Sequence, residues 1–515
     1  MKAPGAILLL SCYELGHQPL ALATLQARLR EAGYQPRAID CAVEPLAEEE
    51  IRAARLVAIS VPMHTALRLG EALARRIRAI HPQVYLCFYG LYALLNADYL
   101  LRDLADAVLG GEYEEPLLAL VRALEREEQA READGQRPDP GRLPRKLPEV
   151  PGVRTRERRV GAWLQRPTFV VPQRHGLPEL QRYARLEWNG RTHLAGYTET
   201  TRGCKHTCLH CPITPVYRGR FFAVPQEVVL ADIRAQVEQG ATHITFGDPD
   251  FFNGPTHALR IARALHREFP AVTFDATIKI EHLLKHRHLL PELRELGCLF
   301  VVSAVESLND EVLRRLRKGH SAADAVEAFA LMEEVGITLR PSLLPFSPWE
   351  TLESYLALLD FFEARHLVEQ VDPVHFSIRL LIPPGSALLE SEERPAWLGE
   401  LDETAYSYRW RHPDPRMDEL QERVAALAEE GAQQGWDPVE TFFQIKEEAL
   451  AVAGRPFDRA AARKRYGEPR HPPRLTESWF CCAEPIRSHL NACCGETDQE
   501  QAVSCTSSRC CGTGH

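Results

Sequence analysis

Residues 198–222 read TETTRGCKHTCLHCPITPVYRGRFF, and this stretch decides the fold of the larger part of the chain. Cys204, Cys208 and Cys211 follow a short strand with the spacing C-x3-C-x2-C. Three thiolates from one loop can hold three irons of a [4Fe–4S] cluster and leave the fourth iron without a protein ligand. The spacing therefore predicts an iron–sulfur cluster with one iron open to chemistry.

A structural zinc site is the alternative interpretation, because His206 or His210 would complete it with the three thiolates. The spacing alone does not exclude zinc, but a zinc module is small and isolated, whereas this loop opens a long series of strands and helices. The series continues through ITFGDPDFFN (244–253), FDATIKIEHL (274–283), CLFVVSAVESLNDEVLRRLRKGHS (298–321), TLRPSLLPFSPWETLESYLALLDFF (338–362) and HFSIRLLIPPGSALLE (375–390). Repeated βα units of this length predict a full or partial β/α barrel, with its sites at the carboxyl ends of the strands.

Three motifs of this series resemble those of the radical SAM superfamily, in the subfamily that includes methylthiotransferases and cobalamin-dependent members. They are RGCKHTCLHCP (202–212), AVESLNDEVLRRLRKGH (304–320) and PPGSALLE (383–390). The resemblance covers roughly residues 179–389 and implies that the three loop cysteines are the cluster ligands. It also implies that the open iron chelates S-adenosylmethionine (SAM) and that an electron from the cluster cleaves SAM to a 5′-deoxyadenosyl radical. An electron donor such as ferredoxin or flavodoxin is then a partner.

The resemblance further implies which strand ends contact SAM. Gly247 and Asp248 stand where the backbone of the family meets the amino group of the methionine part. The chain reads FGDPD here in place of the usual GGE, and this departure leaves Asp248 and Asp250 open between cofactor contact and substrate contact.

Two further elements of the motif set supply candidate cofactor residues. Glu306 and Ser307 match the strand-end pair that lies near the ribose of SAM. Lys318 and Arg340 are candidates for holding the carboxylate, because a cation matches that charge. The plain alternative for Glu306 and Lys318 is an ion pair at a helix boundary.

The N-terminal part alternates short apolar strands with amphipathic helices, which predicts a doubly wound, Rossmann-like parallel sheet. Ligands of such sheets bind beyond the carboxyl ends of the strands, here at residues 11–17, 60–65, 90 and 110–112. The order of elements, with GHQPLALATLQARLREAGY after the first strand and GGEYEEPL after the last, resembles the cobalamin-binding domain at the front of many radical SAM enzymes. The Asp-x-His-x-x-Gly element that supplies an axial histidine is missing. A Rossmann-like domain without a corrinoid is the alternative.

Two histidines of this domain, His17 and His64, lie on candidate ligand loops, although each is equally well explained as an ordinary surface or structural residue. Four cysteines outside the cluster loop and the C-terminal end are expected to be small buried apolar residues: Cys12, Cys41, Cys87 and Cys298.

Composition and periodicity divide the chain into five segments. We predict a cobalamin-binding-like domain at 1–122, a charged and proline-rich linker at 123–178, the radical SAM barrel at 179–390, a helical cap over the barrel mouth at 391–475 and a cysteine-rich tail at 476–515.

Half of the fourteen cysteines lie in the tail, as the adjacent pairs Cys481/Cys482, Cys493/Cys494 and Cys510/Cys511 with Cys505 between them. Adjacent cysteines cannot easily both ligate one cluster, but one of each pair could join Cys505 in an auxiliary [4Fe–4S] cluster. A soft thiolate site for a metal or metalloid and a redox dithiol arm are two further options. A tail without function is the plain alternative, which the oxidation liability of free thiols disfavours.

The CCAEP element at 481–485 resembles a group of radical SAM proteins with a CUAEP or CCAEP tail, some of which carry selenocysteine at the second position. Cys482 matches that position. Because selenolate is the better nucleophile and ligand at neutral pH, this resemblance implies a reactive tail. Cys481, Cys482, Cys510 and Cys511 are therefore the candidate catalytic thiols.

Composition limits the function classes. A net charge of −10 carries no global basic signature for nucleic acid, and no stretch reaches the roughly 18–20 apolar residues of a membrane span. We therefore expect a cytoplasmic protein with reduced thiols, not bound to membranes or nucleic acid.

We expect a radical SAM enzyme, of transferase type with cobalamin as a candidate methyl carrier, that modifies a small molecule or a peptide with help from the tail. A methylthiotransferase acting on RNA or protein is one alternative, weakened because no basic RNA-binding domain follows the barrel. A protein that handles metals or metalloids through its thiolates is the other.

Overall fold

The computed structural model describes residues 1–133, 149–390, 394–477 and 483. The described residues form two compact units, Met1–Arg182 and Tyr183–Ala483. In these residues no helix is long and apolar enough to cross a membrane. The four candidate catalytic thiols of the tail lie outside the described residues.

The first unit is built on one six-stranded sheet. Its strands are β1 (Ile7–Ser11), β2 (Arg37–Asp40), β3 (Leu56–Ser60), β4 (Tyr85–Tyr89), β5 (Ala107–Leu109) and β6 (Val153–Arg154). Its helices are α1 (Leu20–Glu31), α2 (Glu48–Ala53), α3 (His64–Ile80), α4 (Leu91–Leu95), α5 (Ala97–Asp103) and α6 (Glu114–Ala133). Strands β1, β3, β4 and β5 are buried along their whole length, as expected for a parallel sheet covered on both faces.

The strand order is β2-β1-β3-β4-β5-β6, with β1 to β5 parallel and β6 antiparallel to β5. This order reverses between β1 and β3, where doubly wound sheets bind their ligands. Ser11 pairs in register with Ser60, and Ser60 with Tyr89, so the predicted loops after these strands lie at one edge of the sheet. The Rossmann-like sheet is confirmed.

The predicted linker at 123–178 is more ordered than its composition indicates. Helix α6 continues to Ala133, with Ala123 and Leu124 buried in the core. Beyond the undescribed residues 134–148, Val150 and Val153 enter the same core. Isolated apolar residues in a polar run leave no periodic signal, so the sequence showed only the charge and the prolines.

Trp163 fixes this returning segment to the end of β5. Its backbone N–H donates to the carbonyl of Gly110 at 2.8 Å, and its carbonyl accepts from the N–H of Glu112 at 2.8 Å. Gly111, between these partners, has a φ of +79°, and a Cβ there would collide with the Trp163 carbonyl. Glycine is required at this position for its conformation and for the close approach.

The second unit contains a curled seven-stranded sheet in the order β14-β13-β12-β11-β8-β7-β17. The strands of the unit are β7 (Arg185–Trp188), β8 (Arg191–Thr198), β9 (Thr201–Gly203), β10 (Phe221–Ala223), β11 (His243–Phe246), β12 (Thr273–Thr277), β13 (Cys298–Glu306), β14 (Thr338–Leu343), β15 (Leu398–Asp402), β16 (Ser407–Trp410) and β17 (Arg474–Leu475). Its helices are α7 (Ile213–Tyr217), α8 (Gln226–Glu238), α9 (Pro255–Glu268), α10 (Ile280–Lys285), α11 (Leu290–Glu295), α12 (Asp310–Arg315), α13 (Ala322–Val335), α14 (Leu352–Ala364), α15 (Pro415–Gln434), α16 (Pro438–Val452) and α17 (Arg459–Tyr466).

Strands β8, β11, β12, β13 and β14 run parallel, so their carboxyl ends meet at one edge of the sheet. At the other side of the sheet, β7 is antiparallel to β8, and the edge strand β17 is antiparallel to β7. Because the described sheet runs from β14 to β17 without closing, the predicted partial β/α barrel is confirmed as a half-barrel.

The strand predicted within 375–390 does not form. This segment instead makes one isolated bridge between Phe346 and Arg379. Pro345 precedes the bridge on one side and Pro383 follows it on the other, and proline cannot donate to a ladder.

The C-terminal helical region is present in the described part of 391–475. It contains α15, α16 and α17, with a hairpin of β15 and β16 that the periodicity did not predict. Lys446 of α16 donates to Asp360 and Glu363 of α14. This places α16 beside α14, an outer helix of the half-barrel, and the cap over the barrel mouth stays a prediction.

Replacing Gly111 by alanine should destabilise the first unit by about 2–5 kcal/mol, from left-handed strain and the collision with Trp163. The matched control is Gly5→Ala, which has a φ of +75° but no atom within 4 Å of the added Cβ. It should cost only about 1–2 kcal/mol. Calorimetric unfolding of the full chain checks both values, and equal losses would show that Trp163 does not hold this loop.

Candidate functional site

The cysteine loop is fixed at both ends by backbone geometry. Strand β9 leads into Cys204 and pairs with β10, which follows the loop. Gly203 has a φ of +82°, and a Cβ there would lie 2.5 Å from the Tyr217 ring and 2.6 Å from the Arg220 carbonyl oxygen. Asn253 donates to the Gly203 carbonyl at 3.0 Å and accepts from the Lys205 N–H at 3.1 Å. The loop is thereby held in one conformation at the carboxyl end of β11.

The three thiols of this loop interact electrostatically with one another and are largely shielded from water. Cys204 and Cys208 are buried and Cys211 is half-buried. Burial raises the pKa of Cys204 to about 11 and that of Cys211 to about 12, and the neighbouring thiols add to both increases. Thiolates in this position need a cation, and a coordinated metal deprotonates a thiol outright. The donor set therefore fits a metal cluster.

Glu306, at the carboxyl end of β13, forms a buried ion pair beside the loop. Lys318 donates to its Oε1 at 3.0 Å, and His210 Nε2 lies 3.1 Å from the same oxygen. Burial opposes ionisation of Glu306, but the charge of Lys318 and the hydrogen bond with His210 hold its pKa well below the usual range. The backbone of Glu306 is left-handed, with a φ of +65°, which is uncommon for a residue other than glycine.

This geometry bears on the zinc alternative. His210 faces Glu306, and His206 Nε2 lies 3.2 Å from Asp250 Oδ2. The two histidines that would complete a zinc site are thus both directed at carboxylates. The arrangement favours three thiolate ligands over a mixed zinc site.

Gly247 and Asp248 lie directly after β11 and support the start of the loop. A Cβ at Gly247 would collide with the Tyr197 hydroxyl. Asp248 accepts hydrogen bonds from the Thr200 N–H at 2.8 Å, the Thr200 hydroxyl at 2.7 Å and the Thr201 hydroxyl at 2.6 Å. Burial raises the pKa of Asp248 to about 7, although these three hydrogen bonds oppose the increase. Its contact with SAM stays a prediction.

Ser307 and Arg340 are buried and have partners of their own. The Ser307 hydroxyl donates to Glu350 at 2.6 Å. The Arg340 guanidinium donates to both carboxylate oxygens of Asp372, at 3.0 and 2.9 Å. Of the predicted cofactor residues, the structure brings Glu306 and Lys318 to the cysteine loop and pairs Arg340 with a different carboxylate.

Sequence analysis missed Lys279 and His282, which follow β12 at the same edge as the loop. Lys279 is buried, and its Nζ lies 3.5 Å from Glu281 Oε2. Its charge acts to lower the pKa of Cys204. The one available signal was their position after a strand of the barrel series.

Residues 198–362 match the family model described as the radical SAM superfamily. The chain contains a radical SAM domain. This confirms the superfamily predicted from the cysteine loop and, with it, a [4Fe–4S] cluster and SAM as cofactors of the domain.

Two curated relatives illustrate the range of similar proteins. The chain is 25% identical to the hopanoid C-3 methylase of Methylococcus capsulatus, over 65% of this chain and 62% of that protein. It is 28% identical to the ribosomal protein uS12 methylthiotransferase RimO of Geobacter sulfurreducens, over 32% of this chain and 39% of that protein. The chain thus spans less than two thirds of the length of either relative.

Two solved structures share the fold over most of the chain. The cobalamin-dependent radical SAM enzyme OxsB with aqua-cobalamin bound has a TM-score of 0.62 at 16% identity, covering 89% of this chain and 72% of OxsB. The radical SAM methyltransferase TsrM of Kitasatospora setae, with cobalamin and a [4Fe–4S] cluster bound, has a TM-score of 0.53 at 18% identity, covering 71% and 73%. At these identities the likeness shows a common fold.

Alanine at Cys204, Cys208 or Cys211 should remove the cluster, because two thiolates cannot replace three ligands in this buried loop. We expect anaerobically reconstituted variants to lose cluster iron, its electron paramagnetic resonance signal and 5′-deoxyadenosine formation from SAM with dithionite.

Cys298→Ala is the matched control. Cys298 is buried at the start of β13, outside the loop, and this variant should retain the cluster and the cleavage of SAM. Full cleavage by all three loop variants, or zinc without iron in the wild-type protein, would contradict the assignment.

Proposed function

We propose that the chain is a cobalamin-dependent radical SAM methyltransferase that acts on a small molecule or a peptide. The observation that carries the proposal is the order of the two units. A Rossmann-like sheet with its switch point between β1 and β3 precedes a half-barrel with a three-cysteine loop. OxsB and TsrM, which share this fold, are cobalamin proteins, and TsrM and the hopanoid methylase transfer methyl groups.

In this proposal the half-barrel binds SAM at the carboxyl ends of its strands. Cys204, Cys208 and Cys211 would hold the cluster, which would supply the electron that cleaves SAM with a reductant such as ferredoxin or flavodoxin as its source. Gly247, Asp248, Glu306 and Ser307 line the strand ends that would position SAM.

The carboxylate of SAM needs a cation, and the candidate cations differ in how closely they are already paired with a carboxylate of the protein. Lys318 is hydrogen-bonded to Glu306, and Arg340 is bound by both oxygens of Asp372. The Lys279 Nζ lies 3.5 Å from Glu281 Oε2, a longer contact than those of Lys318 and Arg340, and its charge acts on Cys204. We therefore add Lys279 to Lys318 and Arg340 as a residue that would hold this carboxylate.

The first unit would hold the corrinoid at the carboxyl edge of its sheet. Ser11 and Ser60 are small residues on the two strands that flank the switch point. Gly90, after β4, has a φ of +108°, and a Cβ there would lie 3.0 Å from the Val61 carbonyl carbon, so glycine is required where the ends of β3 and β4 approach each other. Cobalamin bound at this edge would carry the methyl group that is transferred.

The two histidines on the predicted ligand loops, His17 and His64, are both buried. His64 is 1% exposed, and its ring lies 6.1 Å from that of Tyr92, as expected for a core residue. His17 is also buried, and its backbone N–H donates to the Glu14 carbonyl at 3.0 Å. We therefore propose that the corrinoid is bound without nitrogen coordination from the protein.

The full-length protein should retain hydroxocobalamin through gel filtration. After reduction to cob(II)alamin, its electron paramagnetic resonance spectrum should lack the superhyperfine splitting that an axial nitrogen causes. His17→Ala and His64→Ala should give the same spectrum. Failure of the folded protein to retain any corrinoid would leave a Rossmann-like domain with another use, and splitting that disappears in either variant would identify an axial histidine.

A methylthiotransferase remains the second candidate within the superfamily. The relatives named RimO match 32–35% of this chain. These matches support the superfamily more than the reaction. The similarity to the hopanoid methylase covers 65% of the chain, which favours methyl transfer.

We propose that the tail assists the reaction through its thiols. The sequence around Cys510 and Cys511 contains no large apolar residue, so it offers little with which to bury a thiol, whereas Trp479 and Phe480 directly precede Cys481 and Cys482. A thiolate is the reactive form, and adjacent thiolates bind soft ions. Handling of a metal or metalloid by the tail is the related alternative.

The tail thiols should react with iodoacetamide about tenfold or more faster than Cys298, whose pKa burial raises. Arsenite, which binds paired thiols, should protect them. Peptide mass spectrometry measures each rate, and a chain ending at Glu477 is the control, since it should keep its cluster and cleave SAM. Equal rates at Cys482 and Cys298 would contradict a reactive tail, and loss of cleavage by the shortened chain would indicate an auxiliary cluster instead.

A further inference from the structure

A second group of metal-ligating side chains lies beside the cysteine loop. His206 belongs to the loop itself, Asp250 follows β11, and His282 lies in α10 after β12. Their donor atoms all lie within 4.8 Å of one another. Asp250 is fully buried, His282 is 1% exposed, and the His206 side chain is 13% exposed. The group contains nitrogen and oxygen donors only, so its chemistry differs from that of the three thiols.

The carboxylate of Asp250 is oriented by the backbone. Its Oδ1 accepts a hydrogen bond from the Phe252 N–H at 3.1 Å. Its Oδ2 then faces two imidazole nitrogens, His206 Nε2 at 3.2 Å and His282 Nδ1 at 2.6 Å. Ligands of a tetrahedral metal with bonds of about 2.0–2.2 Å stand about 3.3 Å apart, so these separations need only small shifts to admit an ion.

Of the two imidazoles, His282 makes the closer contact with Asp250. Its Nδ1 lies 2.6 Å from Oδ2, and both side chains are buried. One carboxylate oxygen is therefore approached by imidazole nitrogens from two different elements of the half-barrel.

The same half-barrel contains a buried histidine and aspartate that form an ordinary hydrogen-bonded pair. His243 Nε2 lies 2.8 Å from Asp275 Oδ1, and its Nδ1 lies 2.8 Å from the Thr273 hydroxyl. Both ring nitrogens of His243 therefore have hydrogen-bond partners, as a structural role requires. Asp275 is paired with the one imidazole of His243, whereas Asp250 Oδ2 faces two imidazoles, and this difference separates the His206–Asp250–His282 group from a core histidine pair.

A carboxylate also stands behind one of the two histidines. Glu281 Oε2 lies 3.7 Å from His206 Nδ1, on the ring nitrogen opposite the one that faces Asp250. Metal-bound histidines commonly direct their second ring nitrogen at a carboxylate, which fixes the ring and raises its basicity. Glu281 is placed for this role.

We propose that His206 Nε2, Asp250 Oδ2 and His282 Nδ1 bind one divalent transition-metal ion, of the class of Zn²⁺ or Fe²⁺. Two imidazoles and one carboxylate suit these borderline ions. Three protein ligands leave at least one coordination position open, which a water or an oxygen of the substrate can occupy. The site lies at the carboxyl ends of β11 and β12, where barrels of this class place their chemistry. The ion would therefore bind an oxygen-bearing substrate next to the cluster loop.

Cobalt(II) is the probe for this site. The full-length chain would carry serine at the seven tail cysteines and at the three loop cysteines, so that the remaining thiols are the four buried ones of Cys12, Cys41, Cys87 and Cys298. Anaerobic titration should give one equivalent of bound Co²⁺ with visible d–d bands and without thiolate charge-transfer absorption. Asp250→Asn and His282→Gln should weaken binding about tenfold or more. His243→Gln, a change of the same kind in the ordinary pair, should leave binding unchanged.

Two further measurements keep the outcome decisive. His206→Gln changes the most exposed of the three ligands, so it tests the site if the buried variants fail to fold. The natural protein with its cluster should contain zinc or iron beyond the cluster iron, and Asp250→Asn should lose that extra equivalent. A folded parent chain that binds no Co²⁺, or equal binding by Asp250→Asn, His282→Gln and the parent, would overturn the proposal.

Discussion

Three thiols on one loop, two of them buried and one half-buried, set the main requirement of this structure, because they must act as negatively charged ligands where water is scarce. Neighbouring residues meet that requirement by holding the loop and by bringing positive charge towards it. Asn253 and Asp248 hold the start of the loop, one by clamping its backbone and the other by binding Thr200 and Thr201. Lys318 and Lys279 bring positive charge towards the thiols. Several side chains at the strand ends of the half-barrel therefore stabilise the cysteine loop.

Much of the fold follows from local patterns in the sequence. Strands such as β1 and β3 are uninterrupted apolar runs, and the cysteine spacing lies within a single loop. A short window of sequence is enough to detect each of them. The strand expected within 375–390 shows the limit, because its apolar residues are present but flanking prolines leave only one bridge.

The parts that sequence analysis missed depend on contacts between distant residues. Asp250 and His206 are 44 residues apart, and no periodicity connects them to His282. The anchoring of the supposed linker depends in the same way on Trp163 meeting Gly110 and Glu112. Arg340 was predicted to hold the carboxylate of SAM, which stays a prediction, and its pairing with Asp372 is a tertiary contact that the sequence does not indicate. The sequence thus indicated which residues belong to the site more often than it indicated the partners of those residues.

The short strand β17 has a consequence for the cysteine-rich tail. Arg474 and Leu475 pair with β7 at the edge of the sheet, Arg474 also binds Glu187, and Thr476 exchanges two hydrogen bonds with Arg185. The tail therefore starts from a fixed point on the second unit. A tethered thiol meets its target at an effective concentration that chain length sets, of the order of millimolar for a short flexible connection. Dilution of the protein does not lower this effective concentration. The advantage of a tail thiol over free thiols in solution, in reaching the same target, would therefore not depend on protein concentration.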